Sequence, residues 1–359
     1  WVLGIVIFTS GSLSCMVTGS VARPVNDALK VPHEKASFLI HSTSTPWCVL
    51  LPLSGWLAAM TGYFTSGGVA EGEAISMLLK SIPLNFYCIL AVFGALAVSL
   101  FNINIGPMKK AEKRAQETGE LDEPGHGTQL QSGKDKVANV KPRAQNMLVP
   151  MGVLILGILG VLMITGGGNP TKGAGMQALL WGCILAVLTM SIMCVAEKLY
   201  TVDGVVNEIF KGMSSMLSVA AILLLGFTMG NMVKSLDTGN YLTSVFMGVL
   251  TPALLPFLTF LLCLLLSFAT GTSMGTMAIM SVICFPMAIN MGISVPLVGG
   301  ALFGGSIFGD HCSPISDTTI MSCATSGCDI IDHIKTQAPY AAIFAGISAV
   351  LYVILGFIL

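Results

Sequence analysis

Long apolar runs separated by short polar ones set the reading of this chain. Runs close to the roughly 20 residues needed to cross hydrocarbon fall at 81–105, 146–165, 176–198, 213–234 and 241–262, with a last one from Pro339 to Leu359. Another run, 36–62, opens on His41-Ser42-Thr43-Ser44-Thr45-Pro46, which predicts an unwound first third. Between 263 and 292, Thr270-Gly271-Thr272-Ser273-Met274-Gly275-Thr276 separates two apolar flanks, each short for a span. That arrangement predicts a re-entrant hairpin with a polar tip at membrane depth. The most polar interruption of the second half lies at 304–319, where Asp310, His311, Ser313, Pro314, Ser316, Asp317, Thr318 and Thr319 sit between two strongly apolar segments. In hydrocarbon an unpaired polar group costs several kcal/mol, and ionisable residues at that depth line a cavity or an ion path. The pattern therefore predicts an interrupted helix over 294–320 that carries an ion site.

Composition narrows the class. Of the 359 residues 54% are hydrophobic and 10% charged, against about 25% charged in soluble domains, and the mean hydropathy is +0.82. The fold class is an all-α polytopic membrane protein. A net charge of −1 argues against a nucleic-acid partner, and no Walker-type loop supplies ATP energy. Forty Gly and sixteen Pro, many inside apolar runs, suit close helix packing and built-in helix breaks. Most of the ten Cys stand alone in apolar segments, where a thiol acts as a small hydrophobe. Cys323 and Cys328 are spaced too widely for a CxxC pair, so neither a resident metal nor a cofactor is expected.

Three regions follow. Residues 1–105 form a first membrane segment. The chain opens on Trp1 without a visible signal peptide, so the start of this segment is expected to be missing. Residues 106–145 hold eight of the seventeen basic residues, a bias that places them in the cytoplasm. Six acids nearly balance them, and Gly, Gln and Pro favour a mobile connector over a regulatory or lipid-headgroup patch. Residues 146–359 form the second half. Setting Gly19 against Gly309 aligns 18–27 with 308–317, so that Pro24 meets Pro314 and Asp27 meets Asp317. The segment after the first copy is basic and that after the second acidic (Asp329, Asp332), which predicts inverted copies facing opposite sides. A hairpin partner for the first copy is expected before Trp1.

The site chemistry is that of a hard cation. Sodium takes several oxygens, which Asp310, Asp317, Ser313, Ser316, Thr318 and Thr319 can offer, with Thr270, Thr272 and Ser273 approaching from the hairpin. Broken helix ends add partial charge. Proton coupling needs a carboxylate for which proton and cation compete; Asp310 and Asp317 are the candidates. Asp27, beside Asn26, is the counterpart in the first copy, unless Arg23 simply pairs with it. His311 reads equally as a proton carrier or a structural hydrogen bonder. A Ser-Asp-His hydrolase can be assembled from these letters, but no nucleophile elbow frames the Ser.

The block Gly309-Asp310-His311-Cys312-Ser313-Pro314-Ile315-Ser316-Asp317-Thr318-Thr319, continued by Gly327-Cys328-Asp329 and Asp332-His333, closely resembles the NhaC-type sodium/proton antiporter family of the wider ion-transporter superfamily. Val17 to Pro24 and Phe268 to Ser273 look like two further blocks of that family. The resemblance implies a multi-pass secondary exchanger of the cell inner membrane, with inverted repeats, paired re-entrant hairpins and often a homodimeric assembly. It implies sodium leaving against protons entering, with Na+ and H+ as partners and no enzymatic activity. Exchange of small organic acids such as malate and lactate is the alternative that membership leaves open.

Overall fold

The computed structural model describes residues 1–359 except 9, 53–54, 127–144, 169–174 and most of 216–250, and every element among the described residues is helical. The span expected at 213–234 falls largely outside the described residues, as do 242–250 of the one expected at 241–262; the rest of that stretch enters a helix that runs on to Thr270 instead of ending at 262. Four described helices are long and apolar enough to cross a membrane: Leu148–Thr165, Pro252–Thr270, Ser273–Met291 and Ile330–Ile358. The pair Glu71–Leu84 and Phe86–Phe101, bent by 48° at its break, is long and apolar enough only when the two are taken together. Large apolar side chains such as Phe101, Leu156, Ile164 and Phe357 point outward. That surface belongs to a multi-pass membrane protein, because only lipid makes such a face favourable.

In chain order the first seven helices are α1 (Val2–Val6), α2 (Gly11–Ala28), α3 (His33–Leu50), α4 (Trp56–Ser66), α5 (Glu71–Ser81), α6 (Phe86–Phe101) and α7 (Pro107–Glu117). They are followed by α8 (Gln145–Thr165), α9 (Gly175–Ala196), α10 (Val202–Ser215), α11 (Leu255–Thr270), α12 (Ser273–Met291), α13 (Val295–Cys312), α14 (Asp317–Ser326) and α15 (Ile330–Ile358). Their ends follow local chemistry. Gly271, at φ 67°, stops α11, and the Thr272 side chain caps α12 by accepting from the Gly275 amide. A positive φ strains any residue with a Cβ. The Asp329 side chain caps α15 by accepting from the amides of Ile331 and Asp332.

The hairpin expected over 263–292 is the α11–α12 pair, but its flanks are not short: the first arm starts further upstream, at Leu255, and both arms are long and apolar enough to cross a membrane. The interrupted helix is α13, the break Ser313–Ser316 and α14. Glycines set how closely these elements approach. A Cβ on Gly305 would stand 2.5 Å from the Phe260 carbonyl oxygen, and one on Gly309 would collide with Ser267 and the Phe268 amide. Backbone therefore meets backbone where α13 crosses α11, and the break is held on the hairpin. Buried aromatics fill the space beside it, including Tyr63, Phe64, Tyr87, Phe285 and Phe303. Phe64 stacks on Phe285 with centroids 4.5 Å apart.

Three expectations change. Residues 41–46 are not unwound, since α3 runs unbroken across them and they are buried. The Thr43 hydroxyl donates to the Leu39 carbonyl at 2.7 Å and the Ser44 hydroxyl to the Ile40 carbonyl at 2.7 Å. Turned back in this way, hydroxyls need no water and the helix keeps its course. Secondly, the connector begins as a docked helix. Met108, Ala111 and Ala115 lie along one face of α7 and are buried. Arg114 donates from Nη2 to both oxygens of the buried Glu34 at 2.8 and 3.0 Å, and Lys35 pairs with Glu112 at 3.0 Å. Thirdly, the acidic segment after the second copy lies against the basic segment after the first, not on an opposite side. Gly327 packs on Arg23 and His33, and Asp332 meets His126 of the connector at 2.8 Å. The charges of each segment pair elsewhere, His33 with Asp27 and Asp122, Lys35 with Glu112, and Asp332 with His126 and Lys335.

Where α7 covers the starts of α3 and α15 a cavity of about 450 Å³ remains, lined by Glu34, Lys110, Arg114, His126, Asp332 and Lys335 among others. The hydrogen bond and charge of Asp332 hold His126 above its ordinary range. A raised histidine contributes fully below its unfolded value of about 6.5 and loses that contribution as pH rises through the folded value. Amide protection over residues 107–126, taken relative to the base-catalysed intrinsic rate, is therefore expected to be greater in mild acid than in mild base. His126→Ala should lessen that difference; equal protection at both pH values would show that the contact does not hold the connector.

Candidate functional site

The break between α13 and α14 gathers part of the expected site. Asp310 closes the last turn of α13 and is 2% exposed. Its Oδ1 accepts from the Ser273 amide at 3.2 Å, at the first position of α12, and from the Ser316 hydroxyl at 3.4 Å. Two helix starts thus direct partial positive charge at this carboxylate. The hydroxyl of Thr319 donates to the Asp310 carbonyl at 2.7 Å, taking up an acceptor that the broken helix leaves without its usual partner. The Ser313 hydroxyl is buried in the same break with no hydrogen-bond partner. All of Asp310's side-chain donors are neutral; no Lys or Arg pairs with it among the described residues.

Other expected residues point elsewhere. Asp317 is exposed and accepts from the Ser12 hydroxyl at 3.0 Å. Thr270, also exposed, turns its hydroxyl back to the Leu266 carbonyl, and Thr272 is occupied as the α12 cap. Asp27 lies near Arg23 at 3.9 Å and meets His33 at 3.1 Å. Asn26, half-buried, is bonded through its carbonyl to the Val31 amide. Neither Asn26 nor Asp27 hydrogen-bonds to the Asp310 group. The two copies of the internal alignment also differ, because α2 continues through Pro24 whereas the chain breaks at Pro314.

Histidines form the part that the sequence did not assemble. The hydroxyl of Thr318 meets His41 Nε2 at 3.0 Å, and His41 Nδ1 shares a hydrogen bond with His333 Nε2 at 3.1 Å. His311 points away from Asp310, sharing a 2.8 Å bond between Nδ1 and the Tyr87 hydroxyl, while its ring edge meets His41 at 4.7 Å. His41, His311 and His333 come from α3, α13 and α15 and are all buried. Signals were present: His41 opens the polar run of an apolar stretch, and His333 follows Asp332 in the family-like block. Their meeting spans 292 residues and has no local trace.

A helix broken at a buried acid and held on a hairpin within a multi-pass helical bundle defines a secondary transporter of the ion-exchanging kind. Residues 47–357 match the Na+/H+ antiporter family, and the chain belongs to it. An uncharacterised protein of Haemophilus influenzae is 29% identical over 98% of this chain and 69% of its own length. The malate-2H(+)/Na(+)-lactate antiporter of Bacillus subtilis is 29% identical over 44% of this chain and 34% of its own. The Na(+)/H(+) antiporter NhaC of Alkalihalophilus pseudofirmus is 33% identical over 27% and 22%. The aligned stretches thus cover about a third or less of the two characterised relatives. The family and the two characterised relatives are antiporters, not enzymes, and the hydrolase alternative has no support.

Proposed function

We propose that the protein exchanges sodium for protons across the cell inner membrane by alternating access, with Asp310 holding the proton and the cation in turn. The observation that carries this reading is a buried carboxylate surrounded only by neutral donors. Such an acid is costly when charged and alone. A proton or a monovalent cation each removes the cost, and the two exclude one another. The unpartnered Ser313 hydroxyl and the side chain of Ser273 supply further oxygens beside it. Asp317, exposed in a protein whose apolar faces meet lipid, marks an aqueous mouth and attracts the cation to the break.

The test is sodium-driven proton movement in proteoliposomes of the full-length carrier. Sodium should collapse an imposed pH gradient with no organic acid present. If sodium alone does nothing and malate or lactate on both sides is required, the organic-anion reading suggested by the Bacillus relative replaces this one.

The amide contact gives a clean variant. Thr272 is extended, at φ −135° and ψ 115°, so Ser273→Pro is compatible with the residue before it and with a first helical position. It removes the amide donor to Asp310 together with the Ser273 hydroxyl and keeps the helix; Ser273→Ala, which loses the hydroxyl alone, is the companion that isolates the amide. A hydrogen bond to a charged group is worth about 1.5–3 kcal/mol, so exchange should slow by about tenfold or more, with folding retained. Unchanged exchange would take the hairpin out of the site.

A further inference from the structure

An exchanger that loads protons and cations at one acid still has to bring the proton to it, and the buried side chains around Asp310 trace a route. Starting at Asp310 Oδ1, the Ser316 hydroxyl is 3.4 Å away, the Thr318 hydroxyl 3.0 Å further, His41 Nε2 3.0 Å beyond that, and His333 Nε2 3.1 Å from His41 Nδ1. All five residues are at most 4% exposed, and they come from α13, the break, α14, α3 and α15. We propose that this hydrogen-bonded chain, Asp310–Ser316–Thr318–His41–His333, is the proton route of the exchanger, distinct from the oxygens that hold the cation. The inference rests on the sodium/proton reading above.

The proton count closes without charged histidines. Protonated Asp310 gives its proton to the Ser316 oxygen as Ser316 passes its own to Thr318. Thr318 passes its proton to His41 Nε2, and His41 releases the one on Nδ1 to His333 Nε2. His333 then gives the proton on its Nδ1 to a water molecule, which carries it away as hydronium. Asp310 ends as a carboxylate, both hydroxyls are restored, and each imidazole has changed tautomer but not charge. Running the sequence backward reloads Asp310.

Two features separate a route from ordinary polar packing. A structural network closes on itself, because a buried unsatisfied polar atom costs about 1–3 kcal/mol. This one ends on His333 Nδ1, buried and without a partner. Asp332, the residue before it, and Thr336, whose hydroxyl donates to the His333 carbonyl at 2.9 Å, both line the cavity under the connector, where Asp332 pairs with His126. The chain therefore ends on a helix whose neighbouring residues line that cavity. His311, turned to Tyr87, lies beside it and is not a member.

Exchange of radiolabelled sodium for unlabelled sodium needs no net proton transfer, whereas sodium-driven proton movement does. Both are measured in proteoliposomes of the full-length carrier. His41→Gln should slow proton-coupled exchange by about 100-fold or more, the scale of a lost proton-transfer group, and leave sodium-for-sodium exchange near the parent rate. Thr318→Val should do the same and Thr318→Ser should restore it, since only a hydroxyl passes the proton. Parent-rate proton coupling in either His41→Gln or Thr318→Val overturns the route. Loss of both exchanges in both variants also overturns it, because these residues would then hold the cation site itself. A parent that shows no sodium-driven proton movement at all instead refutes the underlying reading.

Discussion

Asp310→Asn is expected to abolish sodium-driven proton movement, by at least about 100-fold, the scale of a lost acid–base group, while the protein still folds. The amide keeps the shape and can still accept from the Ser273 amide and the Ser316 hydroxyl, so the break should persist. It cannot bind a proton and a cation in alternation. The same exchange made at Asp317 separates the two acids. Asp317 is exposed and bonded only to Ser12 among the hydrogen bonds it makes, so Asp317→Asn should raise the sodium concentration needed for half-maximal exchange several-fold, in the range of a screened surface charge, and leave the maximal rate largely intact. Equal loss in both variants, read in everted vesicles, would mean that the two carboxylates act as one unit.

The second large effect is structural. Gly309→Leu drives a side chain into Ser267 and the Phe268 backbone, neither of which can withdraw without moving α11. Overpacking costs about 1–3 kcal/mol where the neighbours can adjust; here backbone is in the way, so melting in detergent should fall by about 5 °C or more. Gly346→Leu, at a position with open space around it, is the control and should leave melting unchanged. If Gly309→Leu melts with the parent, the break is not held on the hairpin through this crossing.

How far these features could be read beforehand depends on the range of the cause. The break needed only Pro314 among hydroxyls, and the hairpin tip only Gly271 next to a capping Thr272; both causes lie within a few residues. Apolar length placed the helices that face lipid. By contrast, the docking of α7 rests on Met108, Ala111 and Ala115, a weak apolar stripe hidden among charges, and on Arg114 reaching Glu34, 80 residues away. Residues 41–46 looked unwound because hydroxyls in an apolar stretch suggest water, yet here they bond to carbonyls one turn back. Inverted faces were inferred from charge sign, which does not distinguish segments held apart from segments that lie together. The histidines illustrate the limit most clearly. Each is a single polar letter on its own helix, and only tertiary packing brings His41 onto Thr318 and His333.

The most direct test of the central claim is proton release on sodium binding. Sodium chloride is added to the purified carrier in weakly buffered detergent solution, with choline chloride as the control, and the pH change is recorded near neutrality. Competition at one carboxylate predicts that protons are released by sodium and not by choline, in the parent and not in Asp310→Asn. Release of the same size from Asp310→Asn, or none from a parent that binds sodium, would contradict it.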